Sequence, residues 1–361
     1  MTPRENLISL YRRQGYEHAP VALPLCPSLR EHYASIAGDA PMGEYFDYPE
    51  GFATRPTPGL NLKPRDPVDW SVYFDEPLKA GTTFSDYGVG HEPGSEAAKH
   101  MTYMRHPLGR ASSLEELQAF PFPELDTENV QHMRDAVEAT HAAGLLALGH
   151  MHCTVWEAAW YIRDMTQLMM DMTMEDEKAT FMLDKITDHS CQRAAAYAAA
   201  GADVIELGDD VGMQDSIMMS KTMYEEWLQP RLARVIAAAK AENPDVLIWY
   251  HTCGYVEPLI DNLIEAGVEV LNPIQPECMD FAEIHAKYGK QLSFHGTIGT
   301  QTTMPFGTPE DVRKEVQRNL EIAGEQGGLF CCPTHMLEPE VPWENIEAYV
   351  SACKEFKTAG G

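Results

Sequence analysis

A histidine and a cysteine two residues apart are the side chains of this chain best suited to chemistry. His251 and Cys253 follow the apolar run 246–250, and Gly254 and a helix-like segment come after them. Because residues i and i+2 of a strand point to the same side, the imidazole and the thiol would converge at one strand's carboxyl end. Proteins often supply two zinc ligands in this way. In a chain with 14 His and 8 Cys, a core histidine beside a structural cysteine is the alternative interpretation.

A second group of potential zinc ligands lies far downstream. Cys331, Cys332 and His335 come just after the apolar residues 328–330. Zinc binds thiolate and imidazole at about 2.0–2.3 Å, so ligands from the ends of two strands could complete one site. The sequence therefore predicts a zinc site at which a residue of this group joins His251 and Cys253.

The composition argues against several classes of partner. Over 361 residues, 27 Lys and Arg stand against 55 Asp and Glu, a formal net charge of −28. So acidic a chain does not favour binding to nucleic acid or to anionic membrane surfaces, because both attract cationic patches. The length suits one α/β barrel or two smaller domains.

The N-terminal residues do not resemble a secretory signal. Residues 1–15 are polar and lack the apolar core of a signal peptide. No apolar run in the chain is long enough to span a bilayer. We therefore expect a cytoplasmic protein whose eight cysteines stay reduced and serve metal or structural roles.

From residue 140 onward, apolar runs typical of strands alternate with helical stretches. This βαβα order predicts parallel strands covered by helices. With residues 21–25 near the start, seven strands can be counted, which leaves room for an eighth within the first 140 residues. The predicted fold is one distorted (β/α)8 TIM barrel domain over residues 1–361, since no G-x-G-x-x-G follows an early strand to support a Rossmann fold. The later runs are 145–148, 204–207, 246–250, 268–271, 292–294 and 329–331.

Residues 38–120 differ from the rest of the chain because they are rich in Pro and Gly. Within them, the runs 83–89 and 100–105 predict a hairpin or excursion over one end of the barrel. Tyr87 and Arg105 of this excursion are candidates for substrate binding, with packing as the alternative. Two further candidates for binding substrate or cofactor, Gln275 and His295, follow or end later strands.

Charged side chains also stand at the ends of the predicted strands. The loops at these carboxyl ends build the active site of a TIM barrel, so Glu206, Asp209 and Asp210 are candidate catalytic residues. An N-cap or a solvated turn is the alternative for the two aspartates. Glu206 lies inside an apolar strand, where a charged carboxylate requires a partner or a metal. His150 is a further catalytic candidate, and capping or surface roles are the alternative for His150 and His152.

Taken together, these segments resemble the uroporphyrinogen decarboxylase superfamily, which also contains the zinc-dependent methylcobamide:coenzyme M methyltransferases. The resemblance covers essentially the whole chain. It rests on residues 4–6, the aspartate loop 209–210, the His-x-Cys pair 251–253 and the closing segment 339–346. It implies a distorted barrel whose active site is a deep cleft at the carboxyl ends of the strands.

The two branches of that superfamily differ after the first strand. Decarboxylases carry an Arg-rich motif there that meets the carboxylates of the porphyrinogen, whereas this chain has residues 26–30, CPSLR, with one Arg. His251 and Cys253 match the first half of the methyltransferase zinc site. The resemblance thus implies a methyltransferase rather than a porphyrinogen decarboxylase.

The third zinc ligand departs from the methyltransferase pattern. Alignment on the Pro-x-x-Pro-x-x-Asn frame of residues 339–345 places His335 where methyltransferases usually have Cys, and Cys332 is the second choice. A similar zinc site in cobalamin-independent methionine synthases has an acidic ligand at the end of the next strand. Gln275 occupies that place here, and Glu277 follows two residues later.

A zinc ion held by two imidazoles and one thiolate would keep a positive charge and could activate a thiol or polarise a leaving oxygen. The resemblance also implies a reduced corrinoid on a separate partner protein, because this chain lacks the Asp-x-His-x-x-Gly motif that binds cobalamin. The predicted function is a zinc-dependent demethylase component. It would move a methyl group between a small methylated substrate, such as an aryl methyl ether, and the corrinoid cobalt. The resemblance further implies a homodimer.

Three alternatives stay open from sequence. The chain could be a methylcobamide:thiol methyltransferase, because the same zinc would activate a thiolate. It could be a cofactor-independent decarboxylase of a small acid, which would need no zinc. It could also be a non-catalytic corrinoid- or metal-binding protein, since a fold does not fix a function.

Overall fold

The computed structural model describes residues 1–94 and 101–356. Seven of its ten strands form one sheet in the order β1-β5-β6-β7-β8-β9-β10, in which all neighbours are parallel. The other three form an antiparallel sheet in the order β2-β3-β4. In chain order the strands are β1 (Thr54–Thr57), β2 (Thr83–Phe84), β3 (Gly90–Pro93), β4 (Thr102–Arg105), β5 (Leu146–Met151), β6 (Val204–Gly208), β7 (Leu247–His251), β8 (Val270–Asn272), β9 (Ser293–His295) and β10 (Leu329–Phe330).

Residues 21–25 lie between the two edges of the large sheet. At one end, the backbone N–H of Val21 donates to the carbonyl of Gly51, just before β1, at 2.8 Å. At the other end, Leu25 forms a parallel bridge with Leu337, which follows β10. This closure confirms the predicted distorted α/β barrel. Residues 21–25 form only this isolated bridge rather than the predicted strand, because Pro24 has no N–H to offer a ladder.

The strand β1 lies within residues 38–120, where we predicted no barrel strand. It pairs with β5, with Thr54 opposite Leu146. Its sequence, TRPT, is largely exposed and contains no apolar run, so a search for apolar patterns misses it. The range 38–120 therefore contributes one strand to the barrel. The six later strands were predicted to within three residues at each end, and five of them to within two, the usual uncertainty of element ends.

Helices cover the outside of the large sheet, as its parallel strands require. The pair α8 and α10 forms the most extensive helix contact of this layer. The helices are α1 (Pro3–Tyr11), α2 (Pro27–Ala37), α3 (Met42–Tyr45), α4 (Leu114–Gln118), α5 (Gln131–Ala142), α6 (Trp156–Arg163), α7 (Met165–Thr173), α8 (Glu177–Ala200), α9 (Lys221–Met223), α10 (Gln229–Glu242), α11 (Ile260–Ala266), α12 (Phe281–Tyr288), α13 (Thr303–Phe306), α14 (Pro309–Ala323) and α15 (Trp343–Glu355). Within the described ranges, no helix has the length and apolarity that a bilayer crossing demands.

Strand alternation divides the core from the barrel interior. Ile205 and Leu207 of β6 are fully buried, whereas Glu206, between them, faces the opposite side of the sheet. A strand buried on both faces usually consists of apolar residues throughout. A polar side chain such as Glu206 is therefore an exception within these apolar strands, and the positions of such exceptions in the barrel interior mark the candidate site.

The predicted excursion is the small antiparallel sheet. Its central strand, β3, pairs with β2 on one side and with β4 on the other. The predicted run 100–105 begins at His100, which lies outside the described residues, and β4 supplies the rest of it. Arg105 of β4 donates to Glu92 of β3 at 2.8 Å, so an ion pair joins the two strands.

Candidate metal centre and cavity

A cavity of about 600 Å3 opens at the carboxyl ends of the barrel strands. Residues from β5 to β9, from the segment after β10 and from the closing segment 21–24 form its wall. Its members are Val21, Ala22, Leu23, Pro24, Met42, Phe52, Thr54, His150, His152, Glu206, Trp249, His251, Asn272, His295, Cys332, Pro333, Thr334, His335 and Met336. Most of these side chains are apolar or imidazole groups, and the wall contains no Lys or Arg within the part of the chain that the structure describes.

A groove of similar volume, about 610 Å3, lies on the outer surface beside α14 and α15. Its charged side chains pair with one another, as Arg313 does with Glu355 at 3.3 Å and Lys314 with Glu310 at 3.6 Å. Such exposed pairs are ordinary surface features. We therefore place the candidate site at the barrel mouth, where potential metal ligands converge.

Strand register places the polar side chains of the mouth side by side. His150 of β5 stands opposite Glu206 of β6, and Gly208 of β6 stands opposite His251 of β7. Glycine suits this position, because a Cβ at Gly208 would lie 3.1 Å from the Cβ of His251 and would crowd it. On the far side of β7, His251 stands opposite Asn272 of β8.

One group of potential metal ligands contains Asp210, His251 and Cys253, whose ligand atoms all lie within 4.8 Å of one another. The Nε2 atom of His251 is 3.3 Å from the Sγ atom of Cys253 and 3.6 Å from the Oδ1 atom of Asp210. Asp210 also accepts a hydrogen bond from the backbone N–H of Cys253 at 2.7 Å. The structure thus brings together the two residues that the sequence placed first, with a carboxylate beside them.

Asn272 fixes the orientation of the His251 ring. The amide nitrogen of Asn272 donates to the carbonyl of His295 at 2.7 Å, so its oxygen faces Nδ1 of His251 at 2.5 Å. Nδ1 must then carry the proton, which leaves the lone pair of Nε2 directed at Cys253 and Asp210. A hydrogen bond of this kind to the second ring nitrogen is typical of metal-binding histidines.

Burial keeps both ligands of the pair uncharged in the absence of a cation. The pKa of His251 is lowered because burial disfavours the imidazolium. The pKa of the Cys253 thiol is raised by burial and then by the nearby carboxylates Asp210 and Glu157. A thiol, an imidazole lone pair and a carboxylate within 4.8 Å form a donor set that fits zinc.

The predicted third ligands lie near this group without belonging to it. The rings of His335 and His251 have centroids 6.3 Å apart, and both line the cavity. Cys332 is buried in the same wall, and burial raises the pKa of its thiol well above the ordinary value. Among the described residues, the 4.8 Å group includes neither of them, and Asp210 occupies the third place.

The second group of potential ligands consists of His150, His152 and Glu206. The Glu206 carboxylate lies 2.6 Å from Nδ1 of His150 and 2.6 Å from Nε2 of His152. Burial acts to raise the pKa of Glu206, but the hydrogen bonds with the two imidazoles outweigh it and lower the pKa to about 2. Burial likewise acts to lower the pKa of His152, and Glu206 reverses that shift. Glu206 is therefore an ionised carboxylate inside the barrel.

Two of the predicted residues support the site from behind its wall. The Asp209 carboxylate is buried and accepts hydrogen bonds from the backbone N–H groups of Val155 and Glu157, at the start of α6. Burial and the Glu157 charge raise the pKa of Asp209 well above its ordinary value. Gln275 accepts a hydrogen bond from the N–H of Gly254 at 3.1 Å, which holds the turn after Cys253. Neither side chain lines the cavity.

Two other predicted residues do not line the cavity, because contacts elsewhere hold their polar groups. Arg105 is held between Glu92 at 2.8 Å and Glu76 at 3.6 Å. The hydroxyl of Tyr87 lies 2.9 Å from Nδ1 of His189 on α8. The predicted His295 does line the cavity. Its Nδ1 lies 2.7 Å from the Tyr11 hydroxyl, and its pKa is lowered to about 4 by desolvation.

Sequence reasoning did not assign site roles to three residues of the wall. His152 was left with a capping or surface role, and Trp249 and Asn272 were assigned none. Trp249 carried a signal, because it lies two residues before His251 and so shares its face of β7. Its ring centroid lies 6.1 Å from that of His251 and 6.0 Å from that of His152. The role of Asn272 depends on the register between β7 and β8, which the sequence does not express.

A family model described as uroporphyrinogen decarboxylase (URO-D) matches residues 95–356. Similar curated proteins include the methylcobamide:CoM methyltransferase MtaA of Methanosarcina barkeri, 30% identical over 184 residues that are 50% of each chain. They also include a methylated-thiol–coenzyme M methyltransferase of Methanosarcina mazei, 26% identical over 217 residues, 59% of this chain and 54% of that protein. The chain thus spans about half the length of the first curated relatives that it matches.

Longer alignments reach the decarboxylase branch and a solved structure. The uroporphyrinogen decarboxylase of Pseudomonas syringae is 21% identical over 311 residues, 82% of each chain. A methyltransferase structure from Methanosarcina mazei superposes with a TM-score of 0.64 at 19% identity, over 99% of each chain. At that identity the superposition supports the fold alone, and it agrees with the barrel described above.

Proposed function

This chain belongs to the uroporphyrinogen decarboxylase family, and we propose that it acts as a zinc-dependent methyltransferase. It would move a methyl group between a small methylated substrate and the cobalt of a separate corrinoid protein. The observation that carries the proposal is the group formed by Asp210, His251 and Cys253, with Asn272 directing the free lone pair of His251 into it. The methyltransferase names of two relatives support the same reaction class.

The cavity wall disfavours the decarboxylase alternative for polyanionic substrates. Proteins bind several carboxylates mainly through Arg and Lys. Within the described residues, this cavity offers neither of them. Its apolar and aromatic groups, such as Trp249 and Phe52, suit an uncharged methylated compound, for which an aryl methyl ether is our first choice.

Each residue of the mouth would have a definite task. His251 and Cys253 would hold the zinc ion, with Asp210 as the third ligand and with His335 or Cys332 of the cavity wall as alternatives to it. The bound ion would supply Lewis acidity, which activates a thiol or polarises an ether oxygen. Asn272 would keep the Nε2 lone pair of His251 available. The apolar segment 21–24 would exclude water from that side of the cavity.

The experiment is a methyl-transfer assay with the zinc-loaded protein. Cob(I)alamin with an aryl methyl ether tests demethylation, and methylcobalamin with coenzyme M tests transfer to a thiol. We expect a change of the cobalt absorption spectrum in one of the two assays, dependent on the ether in the first or on the thiol in the second, and its loss in Cys253→Ser. No spectral change in either assay, together with carbon dioxide release from a small carboxylic acid, would instead support the decarboxylase alternative.

A corrinoid protein is the proposed partner, and a homodimer is the proposed assembly. Light scattering would test the assembly, since a dimer has twice the chain mass of 40.3 kDa. A mass equal to that of one chain would contradict it.

A further inference from the structure

The cavity wall beside His251 contains a second set of potential metal ligands that the proposed methyl transfer does not use. His150 and His152 lie two residues apart at the end of β5, and Glu206 lies opposite His150 on β6. The ligand atoms of all three residues lie within 4.8 Å of one another. Because i and i+2 positions share a face, one strand end presents both imidazoles to the same carboxylate.

The contacts of Glu206 already resemble those of a metal-binding carboxylate. Its two oxygens face one nitrogen each from His150 and His152, both at 2.6 Å. The two rings are stacked with centroids 4.2 Å apart, so their nitrogens approach the carboxylate from one side. A small adjustment would let a single cation replace the protons between these three groups.

The buried negative charge of Glu206 also suits a bound metal cation. The residue is only 8% exposed, and an isolated buried carboxylate is costly unless it is paired. Among the described residues, the hydrogen-bonding and ion-pair partners of its side chain are His150 and His152. No guanidinium or ammonium group occupies this place in the described part of the chain.

The two sets of ligands point in different directions. Nε2 of His152 faces Glu206, whereas Nε2 of His251 faces Cys253. The rings of His152 and His251 stack with centroids 5.4 Å apart, so the sets adjoin without sharing a ligand atom. One ion cannot satisfy both sets at ordinary metal–ligand distances of about 2.0–2.3 Å.

We propose that His150, His152 and Glu206 form a second site for a divalent first-row transition-metal ion, beside the zinc site at His251 and Cys253. Two imidazoles and one carboxylate form the ligand set of His2Glu zinc enzymes and of the iron(II) facial triad, and both leave coordination positions open. Here the open positions face the cavity of about 600 Å3. The site binds its ion whether or not methyl transfer is the reaction of the protein.

Cobalt(II) distinguishes the two sites, because only the Cys253 site can give a thiolate-to-cobalt charge-transfer band. The protein is stripped with a chelator and titrated with cobalt(II), and bound metal is measured by equilibrium dialysis. We expect two ions per chain in the wild-type protein. Glu206→Gln should lose one ion and keep the charge-transfer band, and Cys253→Ser should lose the band and keep one ion. Asp188→Asn, on the exposed surface of α8, is the matched control and should bind both ions.

The proposal is overturned if the only ion that the wild-type protein binds is the one that gives the charge-transfer band, or if Glu206→Gln binds as many ions as the wild-type protein. Circular dichroism checks that each variant is folded, and His152→Gln provides a second route if Glu206→Gln does not fold. X-ray absorption of the Cys253→Ser protein adds an independent measurement, in which we expect imidazole and oxygen ligands only. Loss of both ions in Glu206→Gln and in Cys253→Ser would indicate one shared site and would also reject the proposal.

Discussion

One carboxylate of the outer helical layer and one of the barrel mouth are buried to nearly the same depth. Asp171 on α7 is 7% exposed and Glu206 on β6 is 8% exposed. Asp171 is held by Arg163, whose Nε donates to it at 2.9 Å and whose Nη1 donates to the carbonyls of Leu108 and Ala111. Glu206 is held only by imidazoles within the described residues. Burial alone therefore does not distinguish a structural carboxylate from a functional one.

The partner of each carboxylate makes the difference. The guanidinium of Arg163 is permanently charged, and its nitrogens already donate hydrogen bonds within the protein. Arg163 therefore cannot release Asp171 in order to bind an external ligand. The imidazoles at Glu206 can give up a proton and accept a metal ion instead, and they border a cavity. A permanent ion pair thus holds the helical layer, whereas at the mouth a metal ion can replace the protons between the imidazoles and Glu206.

The largest effect is expected at the mouth, from removal of a first ligand. His251→Ala should lower zinc affinity by more than about 100-fold, because loss of a residue that only supports a ligand costs up to about 100-fold. The unfolding transition of the metal-free protein should stay nearly unchanged. Competition with a chromogenic chelator measures the affinity. His132→Ala on α5, whose Nε2 contacts the carbonyl of Gly59, is the control. If His251→Ala binds zinc as tightly as the wild-type protein does, His251 is not a zinc ligand and the contrast between the mouth and the helical layer fails.

The next largest effect is expected in the helical layer. Arg163→Ala should lower the free energy of unfolding by roughly 3–5 kcal/mol, because it removes the nearest cation from buried Asp171 and leaves only the more distant Nζ of Lys178, at 3.9 Å. Zinc affinity should not change. Urea denaturation of the metal-free protein measures the loss. The double variant Arg163→Met with Asp171→Leu should recover only part of it, since the carbonyls of Leu108 and Ala111 still lack the hydrogen bonds that Arg163 donated. A loss below about 1 kcal/mol would mean that the pair is not structural.

A smaller effect is expected from the residue that orients His251. Asn272→Leu removes the acceptor for Nδ1 and should weaken zinc binding by about 10–100-fold, the range for such supporting contacts. Asn272→Asp keeps an acceptor oxygen and should weaken binding less. Both variants keep all the candidate ligands, so the difference between them isolates ring orientation. Equal affinities in the two variants would show that the acceptor is not needed.

Local pattern accounts for the part of the site that the sequence predicted. His251 and Cys253 lie on one strand end, so their convergence follows from the strand period alone. The pairing of His150 with Glu206 and the approach of Asp210 to Cys253 depend on register and loop path between strands, which one sequence does not express. For the same reason, the carboxylate of Asp210 was expected to act in catalysis and was not considered as a ligand.

For the fold too, local pattern predicted some elements, whereas others depend on contacts between distant segments. The six later barrel strands were readable because each is an apolar run bounded by helical stretches, whereas β1 was missed because its polar residues are placed by pairing with β5. Arg105 and Tyr87 carried side chains suited to binding, but the packing of the excursion directs them to Glu92 and His189. Which way a long connection folds back is decided by tertiary contacts.

The smallest effect concerns an imidazole that the helical layer buries without a carboxylate hydrogen-bonded to it. His189 on α8 contacts the hydroxyl of Tyr87 at 2.9 Å. Its pKa is lowered to about 4 by burial and then by Lys185, only partly opposed by Asp188. In the unfolded chain its pKa returns to about 6.5, so between these two values the unfolded chain binds more protons. Stability should therefore fall as the pH falls from about 6.5 towards 4, and His189→Gln should make that fall shallower. Urea denaturation across this range measures it, with the exposed His32→Gln as control. If His189→Gln leaves the slope unchanged, burial in the helical layer does not suppress the charge of an imidazole, and the contrast with the carboxylate-paired histidines of the mouth fails.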